Sequence, residues 1–222
     1  RGLGDVYKRQ TYTYTTGNKE AVPVTPASVY DVASLTKTTA TLLAVMKLYD
    51  KGRLSLTDRV SDYLPYLQDT DKRNITVREL LFHQSGLLST LLFYQDAIDE
   101  DSYEGTLFKA RPDKLHPARI GRQTWANPNF RFRPGLTSKV RTAECTLQVC
   151  DSLWLNKSFK KEYLQKIADA PLRDKRYRYS CVGFILLQQV VEARAGMPMD
   201  EFLAQEFYTP MGLKLSLIHI SE

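Results

Sequence analysis

The sequence predicts an α/β (α+β) domain in which helices pack on an antiparallel sheet beside a helical subdomain, and three features carry that reading. A β-prone run near the start gives way to helices with apolar stripes, extended pieces return late in the chain, and no repeat or low-complexity run breaks the order. With 43% hydrophobic and 25% charged residues, the composition is that of an ordinary globular protein. The late strands that would complete such a sheet are missing from the pattern, so the sheet is expected to lack its C-terminal members.

The two ends are set apart before any fold reasoning. Residues Leu3 to Gln10, written as codons and reverse-complemented, return the sequence of Leu215 to Glu222. Both termini thus read as one DNA element in opposite orientations, resembling the end of a transposon-based sequencing adapter. The expected organisation is therefore residues 1–10 adapter-derived, 11–214 a partial domain, and 215–222 adapter-derived.

Each element follows from local pattern. Thr11 to Thr15 alternates Thr and Tyr and predicts a strand stopped by Gly17-Asn18, with a second extended piece near Val22 to Val24. From Ser34, the stripe Leu35, Leu42, Leu43, Val45, Met46, Leu48 and Tyr49 predicts a long buried helix that ends at Gly52. Thr57-Asp58 opens a shorter helix toward Leu64, ended by Pro65, and Thr76 caps another that runs through Phe82 to Gly86. Between about Tyr94 and Arg141 the chain is polar and weakly periodic, which reads as long loops. Extended structure is expected again at Thr146 to Leu155. Helices are expected at Phe159 to Ala168, at Val182 to Ala195, and from Pro198 through Phe207.

The charge balance excludes little by itself. The net charge of +6 is scattered, without the aromatic interleaving of a single-strand nucleic-acid groove, so nucleic acid is not an expected partner. No apolar run in the sequence is long enough for a membrane span. Cys145, Cys150 and Cys181 lack metal-ligand spacing. An odd separation on a strand places Cys145 and Cys150 on opposite faces, about 16 Å apart at ~3.3 Å per residue, too far for a disulfide. The acidic run Asp96, Asp99, Glu100, Asp101 and Glu104 has no spacing that specifies a metal, so neither metal nor cofactor is implied.

The chemistry is read from Ser34 and Lys37. A serine hydroxyl needs a base within hydrogen-bond reach, and a lysine at i+3 shares its helix face. The helix start adds positive potential and open backbone N–H groups for a developing oxyanion. Burial and positive potential together would lower a lysine's pKa toward the neutral amine that a base requires. A second Ser-x-x-Lys, at Ser158 to Lys161, opens a helix crowded with Lys and Glu and reads as a helix cap followed by a solvated face. Around Ser34 the context differs: an extended approach from Ser28 to Ala33, small residues Thr38, Thr39 and Ala40 after the lysine, and a buried helix beyond. His83 and Ser85 look triad-like but sit at a helix end beside Gly86, where they shape a turn. His116 has no evident partner and is expected to be solvated.

Three segments carry a specific resemblance: Tyr30 to Lys37, Leu48 to Asp58, and Ile75 to Leu87. Together, and in this order, they resemble the penicillin-recognising serine hydrolases, more narrowly the branch of class C β-lactamase-like proteins, D-alanyl-D-alanine carboxypeptidases and esterases. The resemblance implies a β-lactamase/transpeptidase-like fold and an acyl-enzyme on Ser34 formed from a β-lactam, D-alanyl peptide or ester. It also implies a periplasmic or extracellular setting and is compatible with fused domains in the parent gene. The family's Tyr-x-Asn motif falls on Tyr179-Ser180-Cys181, which implies that Tyr179 shares proton transfer with Lys37. Cys181 then stands where the family presents an amide to the substrate, and a thiol is a weak donor and acceptor. The family's third motif, a pocket-lining Lys-Thr-Gly or His-x-Gly strand, is expected beyond residue 214, so the chain by itself is expected to show little activity. The alternative is a catalytically silent accessory domain, such as one fused to a glycoside hydrolase.

Overall fold

The structure, a computed structural model, describes residues 11–12, 22–23, 32–121, 123–150 and 152–213. Both segments read as adapter lie outside these residues, as do 13–15 of the first predicted strand and the Ser28 to Asp31 part of the approach to Ser34.

Thr11–Tyr12 (β1) pairs antiparallel with Val22–Pro23 (β2), where two extended pieces were expected. The first helix (α1) opens with a π-helical turn, Lys37–Thr41, and continues as the α-helix Leu42–Asp50, with Gly52 at φ 64 just beyond its end. Its face Ala40, Ala44, Val45 and Leu48 is almost fully shielded from solvent, with no more than 1% exposure. Burying each of the larger side chains contributes roughly 1.5–3 kcal/mol. They pack in one cluster with Leu186, Leu187, Val190 and Val191 of the helix Cys181–Ala195. That helix is apolar on nearly every side because it runs through the middle of the cluster. Val77–Leu81, Phe159–Asp169 and Met199–Leu203, the last prolonged by a π-helical turn Ala204–Tyr208, complete the helical part. The Val77–Leu81 helix starts on a full capping box: Thr76 Oγ1 accepts from Glu79 N–H at 3.3 Å, and the Glu79 carboxylate accepts from Thr76 N–H at 2.9 Å.

The remaining strands are short and, among the described residues, all antiparallel. Ile98–Asp99 pairs with Arg131–Phe132. Thr124–Ala126 lies between Phe108–Lys109 and Ala118–Gly121. Leu153–Asn156 lies between Thr137–Ser138 and Cys145–Cys150. The mixed helical and antiparallel architecture follows the expectation, with the strands divided among small sheets.

Several local expectations are corrected. Leu35, Met46 and Tyr49, counted in the buried stripe, are 61%, 56% and 55% exposed, since α1 packs on one side only. Pro65 does not end a helix but begins a 3-10 turn, Pro65–Leu67, its missing N–H being free of cost at a first helical position. Between residues 94 and 141 the described residues form the end of a short helix, Phe93–Ala97, a 3-10 turn, Glu100–Ser102, and short strands joined by turns rather than long loops. His116 is fully buried, not solvated: its Nδ1 lies 2.7 Å from Asp113 Oδ1 and its Nε2 lies 2.6 Å from the Thr106 carbonyl. Ser158 makes no side-chain cap bond. Cys145 is buried and Cys150 exposed, in keeping with opposite strand faces, and all three thiols are free.

Candidate active site

The site begins where α1 begins. Ala33 takes φ 43, a left-handed conformation unusual for a residue with a Cβ, and so turns the incoming chain sharply into the helix. Leu35, Thr36 and Lys37 donate their N–H groups to the carbonyls of Val32, Ala33 and Ser34 at 2.9, 3.0 and 3.1 Å. This corrects one expectation, because the turn consumes backbone donors that a plain helix start would leave open to an oxyanion.

Ser34 is exposed, whereas Lys37 is 5% exposed, so a solvent-facing hydroxyl meets a buried amine. Lys37 Nζ lies 3.3 Å from Ser34 Oγ. The π-helical turn starts at Lys37 itself, and such single-turn insertions re-aim the residues before them relative to the rest of the helix. Tyr179, 142 residues after Lys37 in the sequence, brings its ring against the same amine, with Lys37 Nζ 5.6 Å from the ring centroid.

Tyr179 belongs to a segment strapped onto the turn that follows Val77–Leu81. Arg173 N–H donates to the Gly86 carbonyl, Arg178 N–H to the His83 carbonyl and Cys181 N–H to the Ser89 carbonyl, each at 2.8 Å. Ser180 Oγ donates to the Leu88 carbonyl at 2.7 Å and accepts from Gly183 N–H at 3.1 Å, capping the Cys181–Ala195 helix. Gly86, at φ 80, permits the close approach: a Cβ there would stand 2.3 Å from the Arg173 carbonyl oxygen. The strap, the turn and α1 therefore bring Ser34, Lys37 and Tyr179 to one locality. Cys181 follows as the first residue of its helix, partly buried.

The family described as Beta-lactamase matches residues 2–220. The chain belongs to the Beta-lactamase family. Among curated relatives of this β-lactamase-family chain, the N-acetylmuramyl-L-alanine amidase of Bacillus subtilis (strain 168) is 28% identical over 196 residues, covering 86% of the chain and 33% of the relative. Among solved structures, the octameric penicillin-binding protein homologue from Pyrococcus abyssi is similar with a TM-score of 0.51 and 22% identity, over 87% of this chain and 33% of that one. A class C β-lactamase is similar with a TM-score of 0.50 and 18% identity, over 87% of this chain and 38% of that one. At such identities the structural likeness speaks to the fold, which is that of β-lactamases and penicillin-binding proteins. The chain spans about a third of the length of the curated relatives it matches. The family is one of hydrolases, and the β-lactamase-like resemblance read from the three sequence segments is thereby shown.

Within this β-lactamase-family chain, the sequence reading left one residue of the site without its role. His83, expected only to shape a turn, does adopt φ 55 in that turn, yet its ring also packs against Tyr179 and Phe184, at centroid distances of 4.6 and 5.2 Å. Its sequence signal was a histidine at a helix end, three residues before Gly86. The acidic run forms no metal-binding group among the described residues. Asp96 instead pairs with Lys166 at 2.6 Å. A cleft of about 980 Å³ between Leu88, Leu91 and the Phe159–Asp169 helix is lined by none of Ser34, Lys37, Tyr179 or Cys181. No helix among the described residues is long and apolar enough to cross a membrane.

Proposed function

We propose that this segment is the nucleophile-bearing part of a serine hydrolase that works through an acyl-enzyme. The observation that carries the reading is the buried Lys37 amine, 3.3 Å from Ser34 Oγ and faced by the Tyr179 ring. Ser34 Oγ attacks the carbonyl carbon of the substrate, and its proton passes to neutral Lys37, which Tyr179 assists. The same pair returns a proton to the leaving amine or alcohol. Water, deprotonated by the same groups, then releases the acyl group and restores the serine.

The substrate class proposed is a β-lactam, a D-alanyl peptide or an ester, acted on outside the cytoplasm. The amidase and penicillin-binding names among the similar proteins favour a cell-wall-related amide. With Cys181 in place of an amide side chain, substrate positioning at that point is weakened. Full turnover is assigned to a protein in which a further strand supplies an oxyanion donor. Loss of one such donor alone costs roughly 10²- to 10³-fold in rate, so this chain by itself is expected to resist stoichiometric labelling by a fluorescent penicillin. A small, highly reactive fluorophosphonate tests the nucleophile directly. Modification confined to Ser34 and abolished in Ser34→Ala supports the reading. Modification spread over surface serines at equal rates would leave a silent accessory domain as the better description.

A further inference from the structure

We propose that His83 is the residue that positions Tyr179 at the Ser34–Lys37 pair, acting as a neutral imidazole whose Nδ1 accepts a hydrogen bond from the strap. The inference rests on the acyl-enzyme reading only for its kinetic consequence; its geometry stands independently.

Four contacts to the side chain and one to the backbone carbonyl converge on His83. Ser180 N–H donates to His83 Nδ1 at 3.1 Å. A backbone N–H can only donate, so Nδ1 must carry a lone pair and the proton of the neutral ring must sit on Nε2. The imidazole also packs against the rings of Tyr179 and of Phe184 in the Cys181–Ala195 helix, at centroid distances of 4.6 and 5.2 Å. The Tyr177 ring meets it edge-on at 6.2 Å. Lastly, the His83 carbonyl accepts Arg178 N–H at 2.8 Å, so backbone and ring grip the strap on both sides of Tyr179.

Tyr179 is 41% exposed, so its placement depends in part on what holds its neighbours. The chain between Arg178 and Ser180 is pinned at each end to one residue, and the tyrosine ring between them rests on that residue's imidazole. Phe184 backs the imidazole from the core. Burial lowers the His83 pKa, and Lys37 lowers it further whenever its amine carries a proton, so both favour the neutral imidazole that the hydrogen bond requires. The positive φ of His83 restricts which residues can replace it. Asn tolerates this region and carries an oxygen close to where Nδ1 stands.

Imidazole nitrogen NMR of the chain near neutral pH reads the tautomer without any variant. The expected result is an unprotonated, hydrogen-bonded Nδ1 and a protonated Nε2 for His83; a protonated Nδ1 overturns the proposal. His83→Asn, which keeps the acceptor, and His83→Phe, which keeps an aromatic ring without one, then separate positioning from packing. Two readouts apply, amide exchange at Ser180 and the rate of fluorophosphonate modification of Ser34. Asn is expected to stay within about twofold of the parent in both, while Phe accelerates exchange and slows modification about 5- to 10-fold, the scale of one lost hydrogen bond. Equal behaviour of the two variants, or Phe outperforming Asn, rejects the positioning role. Modification that persists in Ser34→Ala would instead count against the nucleophile assignment. In that case the tautomer and the Ser180 exchange still decide the role of His83.

Discussion

Replacing Gly86 with alanine should damage both stability and the site, and the structure allows the cost to be worked out by comparison with Gly52. Both glycines have positive φ, 80 at Gly86 and 64 at Gly52, so alanine at either pays about 1–2 kcal/mol for a left-handed backbone. Beyond that they differ. A Cβ on Gly52 meets nothing within 4 Å, whereas a Cβ on Gly86 stands 2.3 Å from the Arg173 carbonyl oxygen, a backbone atom that cannot swing aside. Relief requires the strap to retreat by roughly 1 Å, which adds about 1–3 kcal/mol of overpacking. The same retreat strains the bond from Arg173 N–H to the Gly86 carbonyl, worth about 1 kcal/mol. Gly86→Ala should therefore cost roughly 3–6 kcal/mol against about 1–2 for Gly52→Ala. At about 2–4 °C per kcal/mol for a chain of this size, thermal melts followed by circular dichroism should separate the two variants by roughly 4–16 °C. Because the strap carries Tyr179, Gly86→Ala should also slow modification of Ser34, which Gly52→Ala should leave unchanged. Two variants melting within a degree of each other would refute the claim that the strap is packed at contact distance on Gly86.

Further consequences follow from other contacts. Lys72 is fully buried, and its Nζ donates to Asp71 Oδ1 at 2.6 Å and to the carbonyls of Ala168 and Ala170 at the end of the Phe159–Asp169 helix. Lys72→Met removes these donors while keeping the apolar stem, and a loss of about 2–3 kcal/mol is expected in urea denaturation. Thr76→Ala breaks one half of the capping box and should cost about 1 kcal/mol in the same assay. Acid should weaken the fold through His83, whose folded pKa lies below the ordinary 6.5 because of burial and then Lys37. The groups facing its ring are Lys37 from α1, Tyr177 and Tyr179 from the strap, and Phe184 from the long helix. As pH falls below 6.5 the unfolded chain takes up a proton that the folded chain resists. The His83 contribution is therefore present above that value and is lost as pH drops through the lowered folded pKa. His83→Asn should flatten that part of a stability–pH curve, and an unchanged curve would contradict it.

What could be read from the sequence was what neighbours in the chain decide. Thr76 and Glu79 are three residues apart, so the capping box was visible as a start signal, and Ser34 and Lys37 share a helix face for the same reason. The π-helical turn at Lys37 was not visible, because no local residue type marks it. Strands of two to four residues between 94 and 141 are too short to show a period of two, and the region read as loop. His116 was misjudged although its partner Asp113 lies only three residues before it; Asp113 Oδ1 accepts the Leu115 and His116 N–H groups at 3.0 and 2.9 Å, a turn that folds the imidazole inward. Tyr179 entered through resemblance, since nothing near it in the chain signals proximity to Lys37. The grip of His83 on the strap spans 97 residues and had no local trace at all.

The most direct test is peptide mapping by mass spectrometry after brief exposure to a fluorophosphonate, with Lys37→Met run in parallel. Preferential phosphonylation at position 34, falling at least tenfold when the amine is removed, is the result that the buried lysine at 3.3 Å predicts. A hydroxyl at position 34 no more reactive than those of other exposed serines, or one indifferent to the loss of its lysine, would contradict it.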